Sequence, residues 1–242
     1  MVLPSLHPLK GWSLRKSRGG SPVRHTIAAL RSGQQGIQRR VIVRETSLTA
    51  PDVDERSIQD VYRDLANDET RTDLILDDVI QAVEDGRSPL VLTERRDHVD
   101  ILAARLRRVV RHLVVLHGGL KPRARREALS QLAAIEDGEE RLVIATGRYI
   151  GEGFDDARLD TLFLAMPISW KGTVTQYVGR LHRLHPDKVE VIVFDYVDSQ
   201  IPVLARMHRR RLKTFRSLGY GIESRPMAAD SVSSLVYEPE PE

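Results

Sequence analysis

The sequence predicts an α/β protein: an open, mostly parallel sheet in three layers, with helices on both faces. Three observations carry that prediction. Short apolar runs such as Leu113-Val114-Val115-Leu116 and Leu142-Val143-Ile144-Ala145 recur without polar alternation, as strands do when both their faces are covered. Segments with apolar residues at helical spacing lie between the runs, giving the order strand, helix, strand. Several runs end in polar or glycine-containing sequence, and the carboxyl ends of the strands are where an open parallel sheet gathers its ligands.

Taken in order, residues 1–25 carry Pro4, Pro8, Gly11, Gly19, Gly20 and Pro22 among basic residues and read as a poorly ordered segment. A lead-in unit, 26–86, follows. Arg39-Arg40-Val41-Ile42-Val43-Arg44 reads as a strand, broken by Thr49-Ala50-Pro51-Asp52. Ser57 is placed to cap a helix that carries Ile58, Val61, Tyr62 and Leu65 on one side. In a second helix Leu74, Ile75, Val79, Ile80 and Val83 recur at helical spacing, and Gly86 ends it.

The main unit, 87–200, alternates strand and helix. Leu90-Val91-Leu92 is a strand, followed by a helix with Val99, Ile101, Leu102 and Leu106. Leu113–Leu116 runs into His117-Gly118-Gly119, and Pro122 fits the first turn of a helix through Ala128, Leu129 and Leu132. Asp137-Gly138 turns the chain into Leu142–Ala145; Thr161–Ala165 and Val189–Phe194 are further strands on either side of a helix near Gln176. A basic helix from Val203 to about Leu218, stopped by Gly219, falls in 201–225, and 226–242 reads as a disordered acidic tail.

Composition bounds the rest. Hydrophobic residues are 41% of 242, enough for a core and too many for a wholly disordered chain. There is no cysteine, so disulfides and thiolate metal sites are excluded. No apolar run is long enough to cross a bilayer and no signal peptide is legible, so a cytoplasmic location without membrane contact is expected. The net charge is only +3, yet arginines cluster near Arg105–Arg111, Arg123–Arg126 and Arg206–Arg211. Such clusters bind nucleic-acid backbone, although solvated helix faces produce them more often. That commoner reading is preferred for Arg209-Arg210-Arg211, with docking on another domain as the alternative.

The chemistry gathers in two stretches. In Ala145-Thr146-Gly147-Arg148-Tyr149-Ile150-Gly151-Glu152-Gly153-Phe154-Asp155-Asp156, glycines let backbone approach a ligand, Thr146 offers a hydroxyl to phosphate, and Asp155 offers an acceptor. In a helix through Gln176-Tyr177-Val178-Gly179-Arg180-Leu181-His182-Arg183, Gln176, Arg180 and Arg183 share one face, while Val178 and Leu181 turn to the core. Guanidiniums in that array grip phosphoryl oxygens in a fork. Asp195 is expected just after the last strand of the main unit, at the ligand edge. His182 and His185 are spaced like metal ligands, but without supporting carboxylates they read as solvent-facing, and no metal site is assigned.

These stretches, with Leu90-Val91-Leu92-Thr93 and His117-Gly118-Gly119, occur in an order that resembles the C-terminal RecA-like lobe of superfamily-2 helicases over roughly residues 86–198. The likeness is to bacterial DEAD/DEAH-box-related helicases with Gly-Arg-Tyr-Ile-Gly-Glu-Gly-Phe-Asp and Gly-Arg-Leu-His-Arg motifs. The resemblance implies the RecA-like fold of P-loop NTPases. It makes Arg180 and Arg183 arginine fingers on the γ-phosphate of ATP, beside Gln176, an effect worth about 10³–10⁵ in rate. Gly151, Glu152, Gly153 and Asp155 would line the nucleotide side. Thr93, Arg95, His117, Gly118, Gly119, Thr146 and Arg148 would meet nucleic-acid phosphates, the turn at Gly118-Gly119 through free N–H groups at a helix start. Such contacts read backbone more than base; DNA is expected ahead of RNA.

The sequence departs from the family in one respect. No Gly-x-x-x-x-Gly-Lys-Ser/Thr occurs, and Asp77-Asp78 lies inside a predicted helix instead of after a strand. Gly20–His25 resembles the connector between two lobes, so the chain is expected to begin just beyond an ATP-binding lobe. ATP and Mg²⁺ are then expected only in combination with such a lobe, from another chain or a longer gene, and ATP hydrolysis by this chain alone is not. Two other readings stay open: a stand-alone nucleic-acid-binding module, and an inactive remnant of a truncated helicase gene.

Overall fold

A computed structural model describes residues 37–48, 56–150, 154–168 and 171–225, with the side chains of 148, 171 and 172 left aside. The amino-terminal segment with Gly20–His25, the break at Thr49–Asp52, the triplet Gly151, Glu152 and Gly153, and the acidic tail lie outside the described residues.

The described chain runs β1 (Gln38–Glu45), α1 (Ile58–Asn67), α2 (Glu69–Glu84), β2 (Pro89–Thr93), α3 (Arg96–Leu106), β3 (Leu113–Leu116), α4 (Pro122–Ala134), β4 (Leu142–Thr146), α5 (Gly147–Ile150), β5 (Thr161–Leu164), α6 (Lys171–Leu181), β6 (Glu190–Val197), α7 (Pro202–Ser217) and β7 (Gly221–Arg225). The strands form one seven-stranded sheet in the order β3-β4-β2-β5-β6-β1-β7. Every pairing is parallel.

The period-two side-chain alternation of each strand feeds two cores. Leu90, Leu92, Val143, Ala145, Leu162, Leu164, Val191 and Val193 face one way, where α4, α5, α6 and the Phe215 end of α7 cover them. Val91, Leu142, Ile144, Phe163, Ile192, Phe194 and Tyr196 face the other way, under α2 and α3. This is why the strands read as unbroken apolar runs. A smaller cluster joins Val61 and Leu65 of α1 to Leu204 and Met207 of α7.

Local signals place most boundaries. The Ser57 hydroxyl accepts from the Asp60 amide at the start of α1. Gly86 takes φ 74° as α2 ends, a conformation in which any side chain is strained. Pro122 occupies the first turn of α4, where only Leu132 of the three expected apolar residues is fully buried.

Two expectations are corrected, and one strand is added. Asp195 does not follow the last strand of the main unit: β6 runs on to Val197, because it pairs along its whole length with β1. Asp195 is therefore wholly buried, receiving Arg211 Nε at 2.9 Å and the His208 ring at 2.9 Å. Burial pushes its carboxyl up, but Arg211 and His208 outweigh that and hold it below the usual range. Arg211 accordingly is not part of a solvated face; it turns inward and also donates to the Ile168 carbonyl at 3.0 Å. β7 was not legible at all. Gly-Ile-Glu-Ser-Arg is a mostly exposed edge strand held by backbone pairing to β1.

Candidate functional site

The carboxyl ends of β2 and β4 lie side by side, with Thr93 level with Thr146. Thr93 is buried at 2% exposure, and its hydroxyl meets His98 Nδ1 at 3.0 Å while accepting from the Arg95 amide at 3.3 Å. Its hydroxyl thus braces the loop that enters α3 instead of facing solvent. Burial, reinforced by Arg71, pushes the His98 imidazole down to about 3, so it stays neutral. Arg95 is half-buried and engages Asp97 at 2.9 Å. Thr146 is partly exposed, and Arg148 lies in α5.

The turn after β3 is built around His117. The ring is buried, and its Nδ1 accepts from the Gly119 amide at 3.1 Å. That N–H is therefore occupied and not free for an anion; Gly118 and Gly119 themselves are exposed. Burial and then Arg96 push the His117 ring down. A β-carbon on Gly119 would lie 3.0 Å from Arg96 Nη1, so Arg96 hangs over this turn. In the sequence the only signal for Arg96 is its position at the start of α3 beside Arg95.

The second stretch is anchored by α6. Val174, Tyr177, Val178 and Leu181 are buried, fixing the helix on the sheet. Gln176 is exposed and Arg180 partly so; Arg180 makes no ion pair or hydrogen bond among the described residues. The helix stops at Leu181, so Arg183 lies beyond its end and not on the expected i, i+4, i+7 face. It pairs with Asp155 at 3.1 Å, an exposed contact that joins two residues predicted from separate motifs.

Lys188 sets that geometry. Its buried amine donates to the Leu181 carbonyl at 3.0 Å and the Arg183 carbonyl at 2.8 Å, closing the carboxyl end of α6. A cation there satisfies orphan carbonyls and complements the helix dipole. Burial pushes the amine's pKa down. A lysine seven residues past a helix end is too weak a signal to find in sequence. His182 is not solvent-facing: it meets the Tyr220 hydroxyl at 2.8 Å and stacks on that ring. His185 lies near Asp137 at 3.5 Å. Among the described residues no cluster of three His, Asp or Glu side chains could hold a metal.

Behind the β4 edge, Gly147, Tyr177 and Glu94 converge. A β-carbon at Gly147 would overlap the Tyr177 hydroxyl and lie 2.5 Å from Glu94 Oε1. This close approach is why glycine follows Thr146. Burial, then Glu94, raises the Tyr177 phenol, and burial of its carboxyl raises Glu94, although that residue as a whole is exposed. The fold thus brings Thr146, Gly147, Glu94 and Tyr177 to one place, links Asp155 to Arg183, and gives Arg180 no counter-charge among the described residues.

Comparison with known proteins accords with this geometry. The model of the helicase conserved C-terminal domain matches residues 72–185. The uncharacterized protein 108L of Invertebrate iridescent virus 3 is 39% identical over 83 residues, 34% of this chain and 75% of that protein. The putative helicase 161L of Invertebrate iridescent virus 6 is 37% identical over 79 residues, 33% of this chain but only 17% of that protein. The crystal structure of T4 UvsW superposes with a TM-score of 0.60 at 16% identity, covering 77% of this chain and 41% of that one. Among the described residues no helix is long and apolar enough to cross a membrane.

Proposed function

We propose, for a chain that belongs to the helicase conserved C-terminal domain family, that it acts as the second lobe of an ATP-dependent nucleic-acid helicase or translocase. In this reading it supplies cationic groups to ATP held by another lobe and contacts nucleic-acid backbone at its strand ends. The observation that carries the reading is Arg180: a guanidinium on a helix locked into the core, with no counter-charge among the described residues. An unneutralised arginine carried on an anchored helix suits developing charge on a transferring phosphoryl group.

The residues fit part of the cofactor and not the whole. Arg180 and Arg183 carry the donors a γ-phosphate requires, and Gln176 stands one turn before Arg180 on the same helix. The sequence has no P-loop lysine to cradle phosphates, and the described residues offer no acidic cluster for Mg²⁺. When bound by its own lobe, ATP supplies the free energy for movement. This chain's contribution is orientation and charge. Lys188 fixes the backbone at Arg183, and Asp155 holds the Arg183 guanidinium in an exposed pair that a stronger phosphate anion can displace. Thr146, Gly118, Arg95 and Arg96 would offer hydroxyl, backbone and cationic contacts to a phosphate chain, with little base preference. DNA is the favoured substrate and RNA the alternative.

The test mixes the full chain with a candidate ATP-binding lobe and measures nucleic-acid-stimulated ATP hydrolysis. Arg180→Ala should lower turnover by about 10³ or more while leaving the melting temperature unchanged. Turnover unaffected by that substitution would sink the reading.

A further inference from the structure

We propose that the exposed face of α7 is a second binding surface for the nucleic-acid backbone, separate from the strand ends. It rests on the reading that the chain handles nucleic acid. The helix Pro-Val-Leu-Ala-Arg-Met-His-Arg-Arg-Arg-Leu-Lys-Thr-Phe-Arg-Ser contains no Asp or Glu. Arg211 is spent on Asp195 and the Ile168 carbonyl. The other five cations, Arg206, Arg209, Arg210, Lys213 and Arg216, are all exposed. None of their side chains makes an ion pair or hydrogen bond among the described residues. Several arginines elsewhere on the surface are compensated: Arg40, Arg56, Arg63, Arg105 and Arg123 each meet an acidic side chain.

Their spacing forms a stripe. Positions 206, 209, 210, 213 and 216 recur at three to four residues and so lie along one side of the helix. From 206 to 216 the rise is about 15 Å at roughly 1.5 Å per residue. One strand of a duplex places a phosphate roughly every 3.4 Å of axis, so the stripe can engage several at once.

The kind of partner follows from what the face lacks. A protein partner would be expected to bury an apolar centre, and the exposed side chains of α7 contain no large apolar residue. A basic helix that inserts into membrane needs its apolar face free. Here Leu204, Met207 and Phe215 are buried, so insertion is closed. A polyanion needs only the cations.

Fluorescence anisotropy of a labelled oligothymidylate, titrated with the full chain at several salt concentrations, tests this. The variant Arg206→Gln/Arg209→Gln/Arg210→Gln/Lys213→Gln should bind at least about tenfold more weakly at low salt. The slope of log affinity against log salt should fall by about 2–3, at roughly 0.7 per lost single-strand phosphate contact. Unchanged affinity and slope overturn the proposal, as does a wild-type chain that does not bind. Loss of association with an ATP-binding lobe or with phosphatidylserine vesicles, while oligonucleotide binding persists, also overturns it. Arg95→Gln/Arg96→Gln, run in parallel, reads the strand ends. If that pair alone weakens binding, the α7 proposal falls and the helicase reading stands. If only the α7 variant weakens it while Arg180→Ala leaves reconstituted ATP hydrolysis intact, α7 stands and the helicase reading falls.

Discussion

His98 gives the sharpest quantitative test of how the site is supported. It is fully buried, its Nδ1 meets the Thr93 hydroxyl, and its Nε2 has no partner among the described residues. Burial pushes its pKa from 6.5 down to about 3. The unfolded chain therefore binds a proton between these values that the folded chain does not, so stability is full above 6.5 and falls as pH drops toward 3. Near pH 5 the difference amounts to about 1.5 log units, or roughly 2 kcal/mol. For a chain of this size that shifts the melting temperature by roughly 4–8 °C. The His117 and His182 rings are also pushed down and add loss of the same sign, so the comparison must isolate one residue. Thermal or urea unfolding of wild type and His98→Asn at neutral pH and near pH 5 does so. Asparagine keeps a group that can meet Thr93 but cannot titrate in this range. The wild type should lose about 2 kcal/mol more than the variant over the interval. Equal losses would refute the reasoning and show that burial does not hold this imidazole neutral.

Other outcomes follow from the same contacts. Lys188→Met removes two charge-assisted bonds to carbonyls at the end of α6 and should cost about 2–4 kcal/mol in urea unfolding; reconstituted ATP hydrolysis should fall with it, since Arg183 loses its backbone restraint. Gly147→Ala drives a methyl into Tyr177 and Glu94 and should cost about 1–3 kcal/mol. Part of that loss should return in a Tyr177→Phe background, and a fully additive pair would argue against the close approach. Asp195→Ala strands the buried Arg211 guanidinium and should cost about 3–5 kcal/mol by denaturant midpoint.

What the sequence alone determined is what depends on neighbours along the chain. Apolar runs without alternation specify strands covered on both faces, and so the α/β class. Ser57, Gly86 and Pro122 act within one turn of themselves, and each was legible for that reason. That Thr93 and Thr146 share one edge was legible too, because strand ends of a parallel sheet lie at one edge whatever the strand order.

Tertiary structure decided where each charge goes. Asp195 and Arg211 look like surface residues in the sequence, and only the lengthened pairing of β6 with β1 encloses them as a pair. Arg209 and Arg210 differ from Arg211 by helix phase against the sheet, which no local pattern reports. β7 exists because β1 offers it an unpaired edge, and backbone hydrogen bonds do not depend on the side chains Glu, Ser and Arg. The joining of Arg183 to Asp155 and the anchoring by Lys188 are likewise meetings of distant segments. Charge is conspicuous in a sequence, but its partner is fixed by three-dimensional proximity and by the cost of leaving a buried ion uncompensated. That cost separates the arginines that hold the fold from those that stay at the surface.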